Sequence, residues 1–195
     1  MLFLIVGLGN PGAQYRRSRH NIGVMAIERL AERNGIALNR QQFFGRAGGG
    51  VIVGRRVLLL MPQTYMNLSG QSVQAAYQFH KLSPETMLVL HDDVDLELGR
   101  MQVRQGGGHG GHKGVGSIVQ LLGEADFLRV RLGIGRPPRQ DDTSDHVLGT
   151  FRPDEEATVG RLIERAASAV EVVLEAGLNK AMSQFNTWPE KVEQN

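Results

Sequence analysis

The stretch Leu2-Phe3-Leu4-Ile5-Val6-Gly7-Leu8-Gly9-Asn10-Pro11-Gly12 decides the fold class. An unbroken apolar run over residues 2–6 that enters a glycine turn reads as a strand buried on both faces, as in the middle of an α/β sheet. The run is too short for the apolar core of a secretory signal and has no basic residue ahead of it. The turn itself fits the G-x-G-x-x-G dinucleotide pattern, but its context does not. Such a site needs a helix opening directly on the glycines to hold a pyrophosphate, and an acid about 20 positions further on. Here Pro11 and the polar residues Gln14 to Arg19 delay the helix to about His20, and the next strand ends without a suitable acid.

Outward from that turn, Ile22, Met25, Ala26, Ile27 and Leu30 recur at helical spacing, and Gly35 marks the stop. Residues 43–61 read as a hairpin pair whose second strand, Val57 to Met61, is ended by Pro62. A helix over about Leu68 to Lys81, a strand at Met87 to Leu90 and another near Arg100 to Arg104 follow. After the glycine loop 106–116 the pattern predicts a short helix from Ser117 to Leu122, a strand from Leu128 to Ile134 and a long amphipathic helix from about Pro153 to Ala176, closed by Gly177. The expected architecture is α/β, with one domain over residues 1–195. The polar stretches 137–145 and 188–195 are expected to be mobile.

Composition narrows the partners. Cysteine is absent, which removes disulfides, thiolate metal sites and a thiol nucleophile. No apolar stretch approaches the roughly 20 residues of a membrane helix, so no membrane partner is expected and the cytoplasm is the expected compartment. The formal charge is only +2, yet residues 1–60 carry nine Arg against Glu28 and Glu32. Arg outnumbers Lys throughout, and its planar fork suits phosphate, which favours a nucleic-acid partner on one face.

Four blocks carry the chemistry. His20 stands where a loop becomes a helix, near the C-terminal edge of the first strand, where open α/β sheets place their sites. The run His91-Asp92-Asp93-Val94-Asp95 follows another apolar strand, and Asp92 is the candidate partner of His20. A carboxylate on one imidazole nitrogen fixes the tautomer and raises basicity, leaving the other nitrogen to accept a proton from water. Tyr65, Met66 and Asn67 bring a ring, a soft apolar surface and an amide to the same edge, although Asn67 could equally cap the helix behind it. In Gly106-Gly107-Gly108-His109-Gly110-Gly111-His112-Lys113-Gly114 the two histidines lack the spacing or frame of a metal site, and no metal or other cofactor is expected. The backbone of this loop and Lys113 suit an anion or a carbonyl oxygen. For His109 and His112 themselves the sequence suggests no role.

Taken in order, Gly7-Leu8-Gly9-Asn10-Pro11-Gly12, Tyr15, Arg19-His20-Asn21, Met66-Asn67-Leu68-Ser69-Gly70, His91-Asp92, the glycine loop and Arg131-Leu132-Gly133-Ile134-Gly135 closely resemble the bacterial peptidyl-tRNA hydrolase family, over about Ile5 to Phe185. The resemblance implies a monomeric, metal-independent esterase with a mixed, twisted central sheet, which cleaves peptidyl-tRNA, spares free aminoacyl-tRNA and needs no obligatory protein partner. It implies His20 as the base that activates water, Asp92 as its orienting partner and Asn10 as the sensor of a blocked amino group. It also implies Tyr15, Tyr65, Met66, Asn67 and Lys113 as substrate contacts, and Arg104 and Arg131 as grips on the tRNA backbone. One position departs: the family carries Asn where this sequence has Lys113, and lysine donates but cannot accept. The rival expectation is a non-catalytic RNA-binding protein on the same fold; intact His20, Asp92 and Asn10 favour the enzyme.

Overall fold

The structure, a computed structural model, describes residues 1–137 and 143–187. The tail 188–195, expected to be mobile, lies outside the described residues, as does most of the polar stretch 137–145. Seven strands form one mixed sheet: β1 (Leu2–Gly7), β2 (Arg40–Gln42), β3 (Gly45–Ile52), β4 (Arg55–Pro62), β5 (Met87–Asp93), β6 (Met101–Gln105) and β7 (Leu128–Gly133), in the order β2-β3-β4-β1-β5-β7-β6. The four inner strands β4, β1, β5 and β7 run parallel, and the antiparallel β3 with β2 on one side and β6 on the other complete the edges.

Helices cover both faces. Helices α1 (Ile22–Arg33), α5 (Glu156–Ala176) and α6 (Leu178–Phe185) pack on the face that receives Ile5, Leu59 and Leu90. Helices α2 (Ser69–Phe79) and α3 (Lys113–Leu122) pack on the face that receives Leu4, Val6, Leu60 and Val89. Because β1 feeds both cores in alternation, its sequence is apolar without a break. A short helix, α4 (Thr143–Leu148), lies over the C-terminal ends of the inner strands.

As expected, no helix opens on the first glycine turn: between β1 and α1 the chain makes two 3-10 turns, Ala13–Tyr15 and Arg19–Asn21. Other elements differ from expectation. The helix expected from Ser117 begins at Lys113, because His112 accepts at its N-cap from Gly114 and Val115. Helix α5 begins at Glu156 rather than Pro153. Strand β2 was not predicted: Arg40, Gln41 and Gln42 are all exposed and carry no apolar alternation. Nor was α6, after which Asn186 accepts from the Val103 amide and donates to its carbonyl, satisfying the edge strand β6 as another strand would.

Two glycines set how closely α1 settles on the sheet. A Cβ on Gly7 would collide with the Gly23 carbonyl and lie 2.5 Å from Ile27 Cγ1; one on Gly23 would collide with the Leu90 carbonyl and lie 2.9 Å from Leu8 N. Gly23→Ala is therefore expected to lower stability by about 1–3 kcal/mol through overpacking. Gly160→Ala, inside α5 with open space around it, should raise stability by about 0.5–1 kcal/mol through helix propensity. Urea melts of the two variants check this pair; equal shifts would remove the packing argument.

Candidate active site

Strands β1, β4 and β5 end side by side, and the loops that leave them enclose a cleft of about 930 Å³. At its floor is Asp92, 2 % exposed, near the end of β5. One oxygen, Oδ1, accepts two imidazole N–H groups: His20 Nδ1 at 2.7 Å and His112 Nε2 at 2.8 Å. Burial alone would raise the Asp92 pKa, but the charges and hydrogen bonds of His112 and His20 outweigh it and hold the carboxyl below the ordinary carboxylate range.

The tautomers follow from the partners. His112 Nδ1 accepts from the amides of Gly114 and Val115, both at 3.2 Å, so the proton is on Nε2 and points at Asp92. His20 donates from Nδ1 to the same carboxylate, which leaves Nε2 as its basic nitrogen, and His20 lines the cleft. His20, Asp92 and His112 also bring three potential metal-donor atoms within 4.8 Å of one another. Deprotonating His112 Nε2 for a cation would require its other nitrogen to give up the helix cap, so the donor set suits the hydrogen-bonded arrangement.

The turn that carries His20 is fixed from behind. Ser18 bridges to Thr150, the Arg19 amide donates to the Gly149 carbonyl at 2.9 Å, and the buried Arg19 guanidinium pairs with Glu155 at 2.7 Å and donates to the Thr150 carbonyl. Asn21, the next residue, does not cap α1 with its side chain. It grips Asn10 instead, accepting from the Asn10 amide at 2.8 Å and donating to the Asn10 carbonyl at 2.9 Å. Asn10 Oδ1 in turn accepts from Met66 N at 2.8 Å. This bond fixes the orientation of the Asn10 amide and leaves Nδ2 as the donor available to the cleft.

Most of the residues singled out by sequence meet here. Tyr15, Tyr65, Met66, Asn67 and Lys113 line the cleft with Asn10, His20 and Asp92. Tyr65 is 60 % exposed and Met66 is buried as the wall. Asn67 is not the helix cap, since Leu68 occupies the N-cap position of α2. Arg104 and Arg131 stand apart from the cleft on β6 and β7, where Arg131 Nε is paired with Asp93 at 2.7 Å. Arg104 is paired in register with Arg129. Burial, then the charges of Arg104 and Arg131, bring Arg129 down to about 10, so the three guanidiniums form one cationic cluster.

Two residues of the site escaped sequence reasoning. The role of His112 depends on where α3 starts, which no periodicity marks; the available signal is a histidine directly before Lys-Gly-Val at a helix entry. Asn21 was seen as part of a motif but not as the clamp on Asn10.

Three comparisons identify relatives. The family model described as peptidyl-tRNA hydrolase matches residues 4–195. The chain is 51% identical over 183 residues to a peptidyl-tRNA hydrolase of Geobacter sulfurreducens, and 49% identical over 183 residues to one of Trichlorobacter lovleyi; both matches cover 94% of this chain and 94% of the relative. Among solved structures, the peptidyl-tRNA hydrolase of Acinetobacter baumannii superposes with a TM-score of 0.91 at 42% identity, covering 96% of this chain and 95% of that one. A peptidyl-tRNA hydrolase in complex with N-propanol gives 0.92 at 42% identity, covering 97% and 96%.

A buried histidine below the site gives a pH prediction. His91 donates from Nδ1 to the Asp92 carbonyl at 2.8 Å and packs its ring on His112, with centroids 4.8 Å apart. Burial first, and then the His112 charge, push its pKa down to about 3. Its pKa is depressed on folding, so the unfolded chain binds the extra proton. Its stabilising contribution is complete above the unfolded value of roughly 6.5 and is lost as pH falls towards the folded value. Between pH 6 and 4, wild-type stability should therefore fall by about 1.4 kcal/mol per unit on account of this group. In His91→Phe that component should vanish whatever the absolute stability; an unchanged slope in urea melts across this window would refute it.

Proposed function

The chain belongs to the peptidyl-tRNA hydrolase family and hydrolyses peptidyl-tRNA, and from that premise we propose how its residues do so. The ester joining the peptide to the tRNA 3′ end lies in the cleft with its carbonyl carbon above His20. His20 Nε2 takes a proton from a water molecule, and the oxygen of that water attacks the carbonyl carbon. The carbonyl π electrons move to the oxygen, forming a tetrahedral oxyanion. Its collapse breaks the ester bond, and the departing 3′ oxygen takes the proton back from His20, giving free tRNA and a peptide acid. Asp92 holds His20 in the Nδ1–H tautomer and stabilises the imidazolium while it exists. His112 acts as a positioning residue that keeps Asp92 ionised and aimed. The observation that carries this reading is the single Asp92 oxygen accepting from both imidazoles, with His20 Nε2 left to the cleft.

Asn10 supplies the selectivity. Its carbonyl oxygen is taken by Met66 N, so it offers N–H to the substrate. That donor suits the carbonyl oxygen of an N-acyl group and repels the ammonium of free aminoacyl-tRNA, which can only donate. Tyr15, Tyr65, Met66 and Asn67 contact the peptide and the terminal nucleoside. Arg104, beside Arg129, grips the tRNA backbone outside the cleft; Arg131 assists, although Asp93 offsets part of its charge. The enzyme works as a one-domain monomer without a metal, an organic cofactor or an obligatory protein partner. In keeping with a cytoplasmic place in translation, none of the described helices is long and apolar enough to cross a membrane.

The decisive experiment follows release of N-acetylaminoacyl groups from tRNA, beside free aminoacyl-tRNA, in EDTA. Wild type should cleave only the blocked substrate, and His20→Ala should lose about 10²–10⁴-fold, the usual worth of a general base. Asn10→Asp, which keeps an acceptor for Met66 N but loses the donor, should erase most of the discrimination. Binding of tRNA without cleavage by wild type would overturn the proposal.

For the cationic cluster, Arg104→Ala should flatten the slope of log(kcat/KM) against log salt by roughly 0.7–0.9, the value of one neutralised phosphate. A slope equal to wild type would remove Arg104 from the tRNA contact.

A further inference from the structure

The tetrahedral oxyanion of ester hydrolysis needs a positive counterpart, and of the backbone amides at the N-terminus of α3, a usual source, three are engaged. The amides of Gly114 and Val115 at the start of α3 both donate to His112 Nδ1, and that of Gly116 donates to the His112 carbonyl. What remains at this corner is Lys113, which is the first residue of α3 and lines the cleft.

Its neighbours fix its place. The imidazole of His112, just before it, rests on Asp92, while a Cβ on Gly114, just after it, would lie 2.5 Å from Met66 Sδ and 3.0 Å from Leu8 Cδ1. The Lys113 backbone is therefore held between the carboxylate that orients the base and the turn that carries Met66 and Asn67.

Charge pairing singles it out further. Two permanent cations among the described residues line the cleft, Lys113 and Arg136. Arg136 is tied to Asp95. The carboxylates on the cleft wall are also engaged, Asp92 by two histidines and Asp93 by Arg131. No carboxylate among the described residues pairs with Lys113, and the positive end of the α3 dipole adds to its field.

We propose that the unpaired ammonium of Lys113, set at the start of α3 beside Asp92 and Met66, is a catalytic residue that stabilises the oxyanion of the ester-hydrolysis transition state. This rests on the assignment of His20 as the base. Lys113 donates a hydrogen bond and a full positive charge to the carbonyl oxygen as negative charge develops there, and no proton needs to leave it. An amide at this position would donate the hydrogen bond without the charge. Because the interaction strengthens only as the carbonyl becomes an oxyanion, it acts on kcat and leaves KM nearly unaltered.

The test measures kcat, KM and the salt slope of kcat/KM on N-acetylaminoacyl-tRNA for wild type, Lys113→Met, Lys113→Asn, Lys113→Arg and His20→Ala, with thermal melts of each. Lys113→Met should lose about 10²-fold in kcat, the usual worth of one oxyanion donor. Its KM should stay within about threefold and its salt slope should match wild type, because only an interaction confined to the transition state has been removed. Lys113→Arg should keep most of the activity, and Lys113→Asn should fall between. A loss carried by KM with a flattened salt slope would make Lys113 a phosphate contact and overturn the proposal, as would kcat within twofold of wild type while His20→Ala is inactive. Wild-type rates in His20→Ala would overturn the base assignment first, and this inference with it.

Discussion

The structure of the site depends on one buried oxygen, Asp92 Oδ1. A carboxylate that is 2 % exposed is costly unless its charge is met. Here two imidazole N–H groups meet it, and they come from opposite ends of the chain's organisation: His20 from the entry to α1, His112 from the entry to α3. Satisfying that oxygen therefore requires both helices to approach the end of β5 from the two sides of the sheet. On the α1 side the approach needs glycine at 7 and 23, where side chains would strike backbone. On the α3 side it is enforced by the cap itself, since the imidazole that caps the helix at Nδ1 is the one that reaches Asp92 at Nε2. The two helical layers and the His20–Asp92–His112 cluster thus depend on the same close approach.

Around that hydrogen-bonded carboxylate the charges are divided by position. On the β6 and β7 side stands the guanidinium cluster. Arg129, 2 % exposed, meets no carboxylate among the described residues; it donates to the carbonyls of Gly107, Gly108 and Ala125. The same side chain therefore holds the glycine loop leading to His112 and keeps a cation beneath it. The cost of that burial appears in its lowered pKa. Such an arrangement is tolerable because an arginine stays charged and its fork can saturate carbonyl oxygens, and its field favours a polyanion on this side of the cleft.

How much of this was readable in sequence depended on whether a feature is local. The β1 run, the α1 periodicity and the breaks at Pro62 and Gly177 are set by neighbours within a few residues, and they stand where expected. His20 and Asp92 could be paired because both follow signals for the same sheet edge. His112 could not, because its value comes from the N-cap geometry of a helix whose start lies inside a glycine loop, where no periodicity marks it. Asn186 shows the same limit from the other side. Its amide completes an edge strand 83 residues away, and nothing in its own neighbourhood announces a partner. Strand β2 pairs with β3 through backbone alone, so its exposed Arg and Gln leave no pattern to read.

The two glycine-rich segments, which invite a nucleotide reading in the sequence, do the opposite of what such loops do around phosphates. In a phosphate loop the glycines clear side chains away so that backbone amides face the ligand. Here the first turn uses its space for a side chain: a Cβ on Gly9 would lie 2.9 Å from Asn21 Cγ and 2.7 Å from Val24 Cγ2, and the Asn21 amide occupies that position to grip Asn10. The second ends on His112, which takes the amides of Gly114 and Val115 that would otherwise face an anion. Both segments thus replace backbone donors with oriented side chains: an amide whose N–H is turned to the cleft and an imidazole of fixed tautomer. A site built this way draws positive charge from side chains as well as from the α3 dipole, and Lys113, the one unpaired cation lining the cleft among the described residues, is the side chain placed to supply it.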